Sequence, residues 1–186
     1  MQKLINACRE FYYSSPNFVI RLLKLIVLSS IPIALWGMLT ELIFKDLLQI
    51  EIPDVYDLLK KGHIPMEFNY FFVVLLGPII ETLFFQHWTF LICKWIGKKL
   101  QFEISYGFEQ NAKWATILSS VLFAVSHYDN HYLYPIIVFP MGLFLGWIYL
   151  SNLTEFKNKS RAFWMTACFH IFNNGMATIL YIVENS

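Results

Sequence analysis

The sequence predicts an all-α protein, a polytopic bundle of about five transmembrane helices, and three observations support this. The 186 residues are 57% apolar and only 15% charged, whereas an ordinary soluble domain is roughly 25% charged. Phenylalanine alone occurs 18 times. A soluble fold of this length could not hide so much apolar surface from water, so lipid is the expected solvent. The apolar residues are also gathered into long stretches, as spanning helices of about 20 residues require.

Five spans follow one another along the chain, with polar connections between them. We predict them at about residues 17–44, 67–96, 113–128 and 133–150, with a last span that ends near residue 183. Residues 54–61 predict a short surface helix, residues 97–112 a loop, and residues 129–132 a tight polar turn. No repeat or composition change divides the chain, so residues 1–186 are expected to form a single integral membrane domain.

The basic residues alternate between the two sides of the predicted bundle. Lys and Arg number eleven in the N-terminal segment, the second-to-third connection and the fourth-to-fifth connection, against three on the opposite side. The positive-inside rule therefore places the N-terminus in the cytoplasm and the C-terminus outside. The alternation also supports five spans, because a miscounted helix would mix the two sides.

Between Glu67 and Lys94, the second predicted span contains a single charged residue, Glu81. It stands roughly 20 Å from either boundary, at about 1.5 Å per residue. An ionisable group at that depth costs about 3 kcal/mol to insert, so it is expected to be paired or to do chemistry. The simpler interpretation is a protonated carboxyl group that only packs between helices.

Three further polar residues fall in or near other predicted spans. His127 closes the third span, and His170 lies inside the fifth with Asn174 four residues later. Residues four apart share a helix face, so His170 and Asn174 can point at one spot, as can Phe123 and His127. Each alone could simply hydrogen-bond to a neighbouring helix. Together with Glu81 they offer a base, water-orienting groups and oxyanion donors, the set that water activation needs.

The remaining histidines are not included in this candidate site. His63 and His131 fall in predicted loops, where they would be solvated. His87 follows Glu81 by six residues, which places it on a different face of an α-helix.

Three segments resemble the motifs of the CPBP family of intramembrane endopeptidases. Residues 77–86 (GPIIETLFFQ) resemble its P-x-x-E-E-x-x-F-R motif, residues 123–127 (FAVSH) its F-x-x-x-H motif, and residues 170–174 (HIFNN) its H-x-x-x-N motif. Residues 142–149 also look like the Gly-rich helix that usually lies between the last two. The resemblance covers a protease-like core at about residues 77–180. The family includes type II CAAX prenyl endopeptidases and bacterial membrane proteins linked to bacteriocin immunity.

The resemblance implies an endopeptidase that cleaves a membrane-associated substrate, lipidated or not. Glu81 would be the general base that activates water, and His127 would hold and polarise that water. His170 and Asn174 would stabilise the oxyanion, with Thr82, Gln86 and Phe123 in supporting positions. No cofactor is expected, although Glu81, His127 and His170 would also suit a three-ligand catalytic zinc.

Two positions depart from the family pattern and keep other functions open. Thr82 stands where the family has its second glutamate, and Gln86 stands where it has arginine. Because these residues are four apart, the change replaces an ion pair by a neutral, hydrogen-bonding pair. It also motivates an alternative, a catalytically altered immunity or scaffold protein that binds a peptide or a membrane partner. A proton-coupled carrier is a third possibility, although no inverted repeat of the transporter kind is visible.

The composition and the resemblance together predict the surroundings of the protein. Its expected partners are membrane lipids and a membrane-bound peptide or protein substrate, with no nucleic acid. Its expected location is the bacterial inner (cytoplasmic) membrane, as an integral protein.

Overall fold

A computed structural model describes residues 7, 10–15, 17–50, 66–99 and 102–184. Nearly all of these residues are helical, and no strand occurs among them, so the all-α prediction is confirmed. The chain divides into two compact units, Met1–Glu51 and Ile52–Ser186. The predicted surface helix at 54–61 and His63 lie outside the described residues. The single-domain organisation stays a prediction.

The first unit contains one long apolar helix, α1, at Phe18–Leu47. Asn17 caps its N-terminus, because the Asn17 side-chain oxygen accepts hydrogen bonds from the N–H groups of Val19 (2.9 Å) and Ile20 (3.2 Å). Such caps satisfy N–H groups that have no partner within the helix. The first predicted span is thus present as a helix, and it extends three residues beyond the predicted end at residue 44.

The second unit contains four helices within the part of the chain that the structure describes. They are α2 at residues 66–99, α3 at Phe102–Val125, α4 at Tyr134–Phe156 and α5 at Lys159–Glu184. Together with α1, helices α2, α4 and α5 are long and apolar enough to cross a membrane. The apolar part of α3, Ala112–Val125, is shorter. Four of the five predicted spans therefore have full length, and the third is a helix with a short apolar segment.

The predicted loop at residues 97–112 was wrong. Helix α2 continues to Lys99, and α3 already begins at Phe102. Residues 97–112 include many polar side chains, which interrupt the apolar pattern. Polarity ends a membrane span without ending a helix, because the hydrogen bonds of a helix join backbone groups. The polar turn after α3 is present and covers residues 126–133.

Helices α3 and α4 pack at very close range through two glycines four residues apart. A Cβ atom on Gly142 would lie 3.1 Å from the carbonyl oxygen of Ser120, and one on Gly146 would lie 2.9 Å from Thr116 Cγ2. A Cβ atom at either position would require the facing part of α3 to shift. Small residues with this spacing are the usual device for bringing membrane helices together, since lipid provides no hydrophobic driving force between them.

One buried residue from each of α2 to α5 contributes to a common cluster, and neighbouring helices run in opposite directions. The cluster contains Phe90, Ala115, Tyr149 and Ala162. Farther along the α2–α3 pair, the ring of Phe85 meets that of Phe123 at 6.0 Å between centroids. Moving backwards along α2 thus corresponds to moving forwards along α3. This antiparallel register decides which polar residues of the two helices are level.

Candidate active site

Glu81 and His170 are brought together by the packing of α2 against α5. His170 Nε2 lies 3.5 Å from Glu81 Oε2, and their side chains are 4% and 28% exposed. Glu81 Oε2 is itself buried and has no hydrogen-bond partner within the described chain. The exposed part of the Glu81 side chain therefore lies away from Oε2. At 3.5 Å the pair is looser than a formed N–H···O bond of about 2.7–3.2 Å, as is common for catalytic groups without substrate.

The short α-helical stretch Gly77–Glu81 is flanked by two wider, π-helical stretches of α2, Phe72–Leu76 and Thr82–Trp88. Wide turns of this kind are rare and occur frequently at functional sites. Gly77 leaves room inside this region. A Cβ atom there would lie 3.0 Å from the carbonyl oxygen of Phe72 and 3.8 Å from Glu81 Oε1. The glycine therefore keeps the space beside the carboxylate open.

Asn174 is oriented by a backbone carbonyl group of α2. Its Nδ2 donates to the carbonyl oxygen of Val73 at 2.9 Å. In the wide turn, the N–H of Gly77 bonds to the carbonyl of Phe72, five residues earlier, instead of that of Val73. The next residue, Pro78, has no N–H to donate. Both donors that would normally reach the Val73 carbonyl are thus absent, and the Asn174 amide takes their place.

Asn174 keeps hydrogen-bonding capacity for another group. A side-chain amide nitrogen carries two hydrogens, and the bond to Val73 uses only one. Asn174 also lies one helical turn beyond His170, so both residues face α2 from α5. On α2, His170 contacts Glu81, and Asn174 contacts the backbone of Val73, which precedes Glu81 by eight residues.

Contacts at the end of α3 hold the ring of His127 in one tautomer. Its Nδ1 lies 2.8 Å from the carbonyl oxygen of Phe123 and 3.2 Å from Ser126 Oγ. Ser126 Oγ also bonds to that same carbonyl at 2.7 Å, and the carbonyl can only accept. The hydrogen must therefore sit on His127 Nδ1, which leaves Nε2 as an acceptor when the ring is neutral.

Phe123 lies between the two histidines. Its buried ring is 4.8 Å from the ring of His127 and 5.6 Å from that of His170, measured between centroids. The contact with His170 is edge-to-face, a favourable geometry for aromatic pairs. Phe123 thus packs against both predicted histidines, of which His170 contacts Glu81.

Thr82 and Gln86 are completely buried, at 0% exposure. The Thr82 hydroxyl and both polar atoms of the Gln86 amide have no hydrogen-bond partner in the described part of the chain. The expected hydrogen bond between these two side chains is therefore not formed.

The sequence interpretation missed two features near this site. One is the bond between Asn174 and Val73, for which Pro78 in the first motif was the available signal. The other is His87, whose Nδ1 lies 2.8 Å from the hydroxyl of the buried Tyr149. The ring of His87 also packs edge-to-face against that of Phe163 on α5, at 5.8 Å between centroids. His131 lies in the turn after α3, as predicted.

Metal binding has a weaker geometric basis than the sequence pattern indicated. Among the residues that the structure describes, no three His, Cys, Asp or Glu side chains are gathered closely enough to hold a metal ion. Zinc is therefore given no role in the proposed reaction, and an experiment with a metal chelator tests the zinc alternative directly.

Comparison with known proteins identifies the family to which the chain belongs. The chain matches the family described as type II CAAX prenyl endopeptidase, Rce1-like, over residues 65–176, more than half of its length. Searches of the curated proteins and of the solved structures give no match. The matched region includes Glu81, His127, His170 and Asn174. With its long apolar helices, the chain is an integral membrane protein that belongs to the Rce1-like type II CAAX prenyl endopeptidase family, a family of membrane proteases.

Proposed function

We propose that this protein is a glutamate-dependent intramembrane endopeptidase that uses Glu81 to activate water. The observation that carries the proposal is the approach of His170 Nε2 to within 3.5 Å of Glu81 Oε2, between two apolar helices. A carboxylate and an imidazole that face each other inside a membrane span are costly to maintain, and hydrolysis gives them a use.

In the proposed reaction, the Glu81 carboxylate removes a proton from water. The water oxygen attacks the carbonyl carbon of the scissile peptide bond, and the carbonyl oxygen becomes an oxyanion. The C–N bond then breaks, and the proton held by Glu81 passes to the departing amine. General base catalysis of this kind contributes about 10²–10⁴-fold to the rate.

His170 and Asn174 are the proposed donors to the oxyanion. His170 can present an N–H at Nε2, beside Glu81, and Asn174 has the second hydrogen of Nδ2 available after its bond to Val73. Donors fixed in this way stabilise developing charge without rearrangement during the reaction. His127, whose Nε2 is an acceptor, is proposed to hold the attacking water.

The proposed substrate is a peptide or protein that reaches the site from the membrane. The family name refers to prenylated CAAX sequences, so a prenylated peptide is the first substrate to test, beside an unmodified peptide of the same sequence. We further propose that the protein lies in the bacterial inner membrane with its N-terminus in the cytoplasm, surrounded by lipid, as the distribution of basic residues indicates.

The test is cleavage of quenched-fluorescence membrane peptides by the purified protein and by Glu81→Gln, which keeps the side-chain shape. We expect the variant to lose activity by at least about 10²-fold. Glu155→Gln is the matched control, because Glu155 is an exposed carboxylate at the end of α4. Equal cleavage by wild type and Glu81→Gln would reject the assignment of the base.

Two further measurements separate the glutamate-dependent endopeptidase from the zinc-dependent and the scaffold alternatives. Full activity in a metal chelator is expected, and loss that zinc restores would instead assign Glu81, His127 and His170 to a metal. If folded wild type cleaves no peptide in the panel, the immunity or scaffold alternative becomes the better one. Binding of the same peptides, measured by fluorescence anisotropy, would then be the next measurement.

A further inference from the structure

Three polar side chains behind the candidate active site are fully enclosed and unpaired. Thr82, Gln86 and Ser119 each have 0% exposure. Four of their polar atoms, Thr82 Oγ1, Gln86 Oε1 and Nε2, and Ser119 Oγ, have no hydrogen-bond partner within the described chain. Neighbouring buried hydroxyl groups do not share this condition. Ser120 Oγ donates to the carbonyl of Thr116 at 2.7 Å.

The antiparallel register of α2 and α3 places Gln86 and Ser119 at about the same level. Phe90 and Ala115 share one buried cluster. Gln86 lies one turn before Phe90, and Ser119 lies one turn after Ala115, so the two polar residues are level. Thr82 lies about one further turn along α2, directly after Glu81. The four unpaired atoms therefore belong to residues within about one helical turn of one another along the α2–α3 pair, next to the turn that carries Glu81.

Unpaired polar atoms of this kind are expected to have a partner. A buried amide or hydroxyl group without a hydrogen bond costs free energy, and a membrane interior supplies no solvent to relieve it. Internal water normally occupies such sites and makes two to four hydrogen bonds to buried polar groups. Gln86 offers both a donor and an acceptor, while each hydroxyl group can act as either, so this set matches the bonding capacity of water.

We propose that Gln86, Ser119 and Thr82 form a binding site for internal water between α2 and α3. Bridging water links the Gln86 amide to the Ser119 hydroxyl group, and Thr82 extends the hydrated region towards Glu81. If the proposed function is also accepted, this water has a second role. Each peptide bond hydrolysed consumes one water molecule inside the membrane, and the site holds a replacement within about one helical turn of the base.

The direct test is a crystal structure of the wild-type protein grown from a lipidic phase. We expect ordered water within hydrogen-bonding distance, about 3.2 Å or less, of both the Gln86 amide and Ser119 Oγ. A direct Gln86–Ser119 hydrogen bond with no water density between them would overturn the proposal.

A second test measures thermal stability for Gln86→Met, Ser119→Ala and the double variant. Methionine has nearly the shape of glutamine but no amide, so an unhydrated site would become more stable on this change, with a higher Tm. A hydrated site loses bridging hydrogen bonds instead, and we expect Tm to fall by about 2–4 °C. The two losses should also be less than additive, because either change disrupts the same water. Ser120→Ala is the matched control and should show no coupling to Gln86→Met.

The catalytic role is tested separately by the kinetics of Gln86→Met. We expect kcat to fall several-fold with KM unchanged, because the change affects water supply and not substrate binding. An unchanged kcat, in a protein whose cleavage still depends on Glu81, would reject the supply role while leaving the structural water in place. If wild type does not cleave at all, the proposed function fails, yet the crystal structure and the Tm values still decide the water site.

Discussion

At the scale of single residues, the site is organised by backbone carbonyl groups that fix side chains. The Phe123 carbonyl determines which nitrogen of His127 carries hydrogen, and the Val73 carbonyl holds the Asn174 amide. The sequence could predict that His170 and Asn174 share a helix face, because a spacing of four is sufficient for that. It could not predict these carbonyl partners, since each depends on how a helix ends or on a contact between α5 and α2.

Asn174→Ala tests whether this orientation serves catalysis. Removing one oxyanion donor typically lowers kcat by about 10²–10³-fold, and we expect a loss in that range. The adjacent Asn173 is an unusually close control, because its amide donates to the Phe169 carbonyl within α5 at 2.9 Å. Asn173→Ala should change kcat by less than about threefold. Similar losses in both variants, measured with one peptide substrate, would indicate a general effect on α5 packing instead.

At the scale of helices, the wide turns of α2 are the feature that positions the site. They flank Gly77–Glu81, and the first of them leaves the Val73 carbonyl available to Asn174. The length of the apolar stretch predicted the extent of α2 well, because a membrane span is recognised by its composition. It could not predict the wide turns, since arguments from spacing assume 3.6 residues per turn throughout. The contact that these turns allow joins α2 to α5, and the two helices are distant in the sequence.

Pro78→Ala should remove the hydrogen bond between the Asn174 amide and the Val73 carbonyl while keeping the helix. The new N–H at residue 78 can donate to the Val73 carbonyl, so Asn174 loses its partner and its fixed orientation. We expect kcat to approach that of Asn174→Ala, while KM and the far-UV circular dichroism change little. Pro140→Ala provides the control, because Pro140 lies inside α4 and away from this contact. An unchanged kcat for Pro78→Ala would mean that the Val73 bond does not position Asn174.

At the scale of the whole molecule, the charge distribution and the helices agree except at α3. The alternation of basic residues requires α3 to cross the membrane. The apolar segment of α3, Ala112–Val125, is only about 21 Å long at 1.5 Å per residue. The hydrocarbon core is about 30 Å thick. Helix α3 can nevertheless cross, because it packs between α2 and α4 and its buried side need not meet lipid. Sequence composition measures exposure to lipid poorly for such a helix, which explains why its bounds were predicted least well.

Reporter fusions determine whether α3 crosses. Alkaline phosphatase, which is active only outside the cytoplasm, should be active when fused after Asn130 or after Ser186, and inactive after Lys99. Green fluorescent protein at the same three positions is the complementary control and should fluoresce only after Lys99. If α3 did not cross, the fusion after Asn130 would report the cytoplasm, and the C-terminus would also change sides.

The close glycine contact between α3 and α4 has a consequence for biogenesis. A segment as short as the apolar part of α3 partitions weakly into the bilayer by itself, whereas α4 is long and apolar enough to cross a membrane. The turn at residues 126–133 is short, and Gly142 and Gly146 let the two backbones meet as soon as both helices exist. We therefore expect the translocon to release α3 and α4 as a helical hairpin, with α4 providing the affinity for lipid that α3 lacks. His127, at the tip of α3, would then reach its final depth only after α4 has been synthesised.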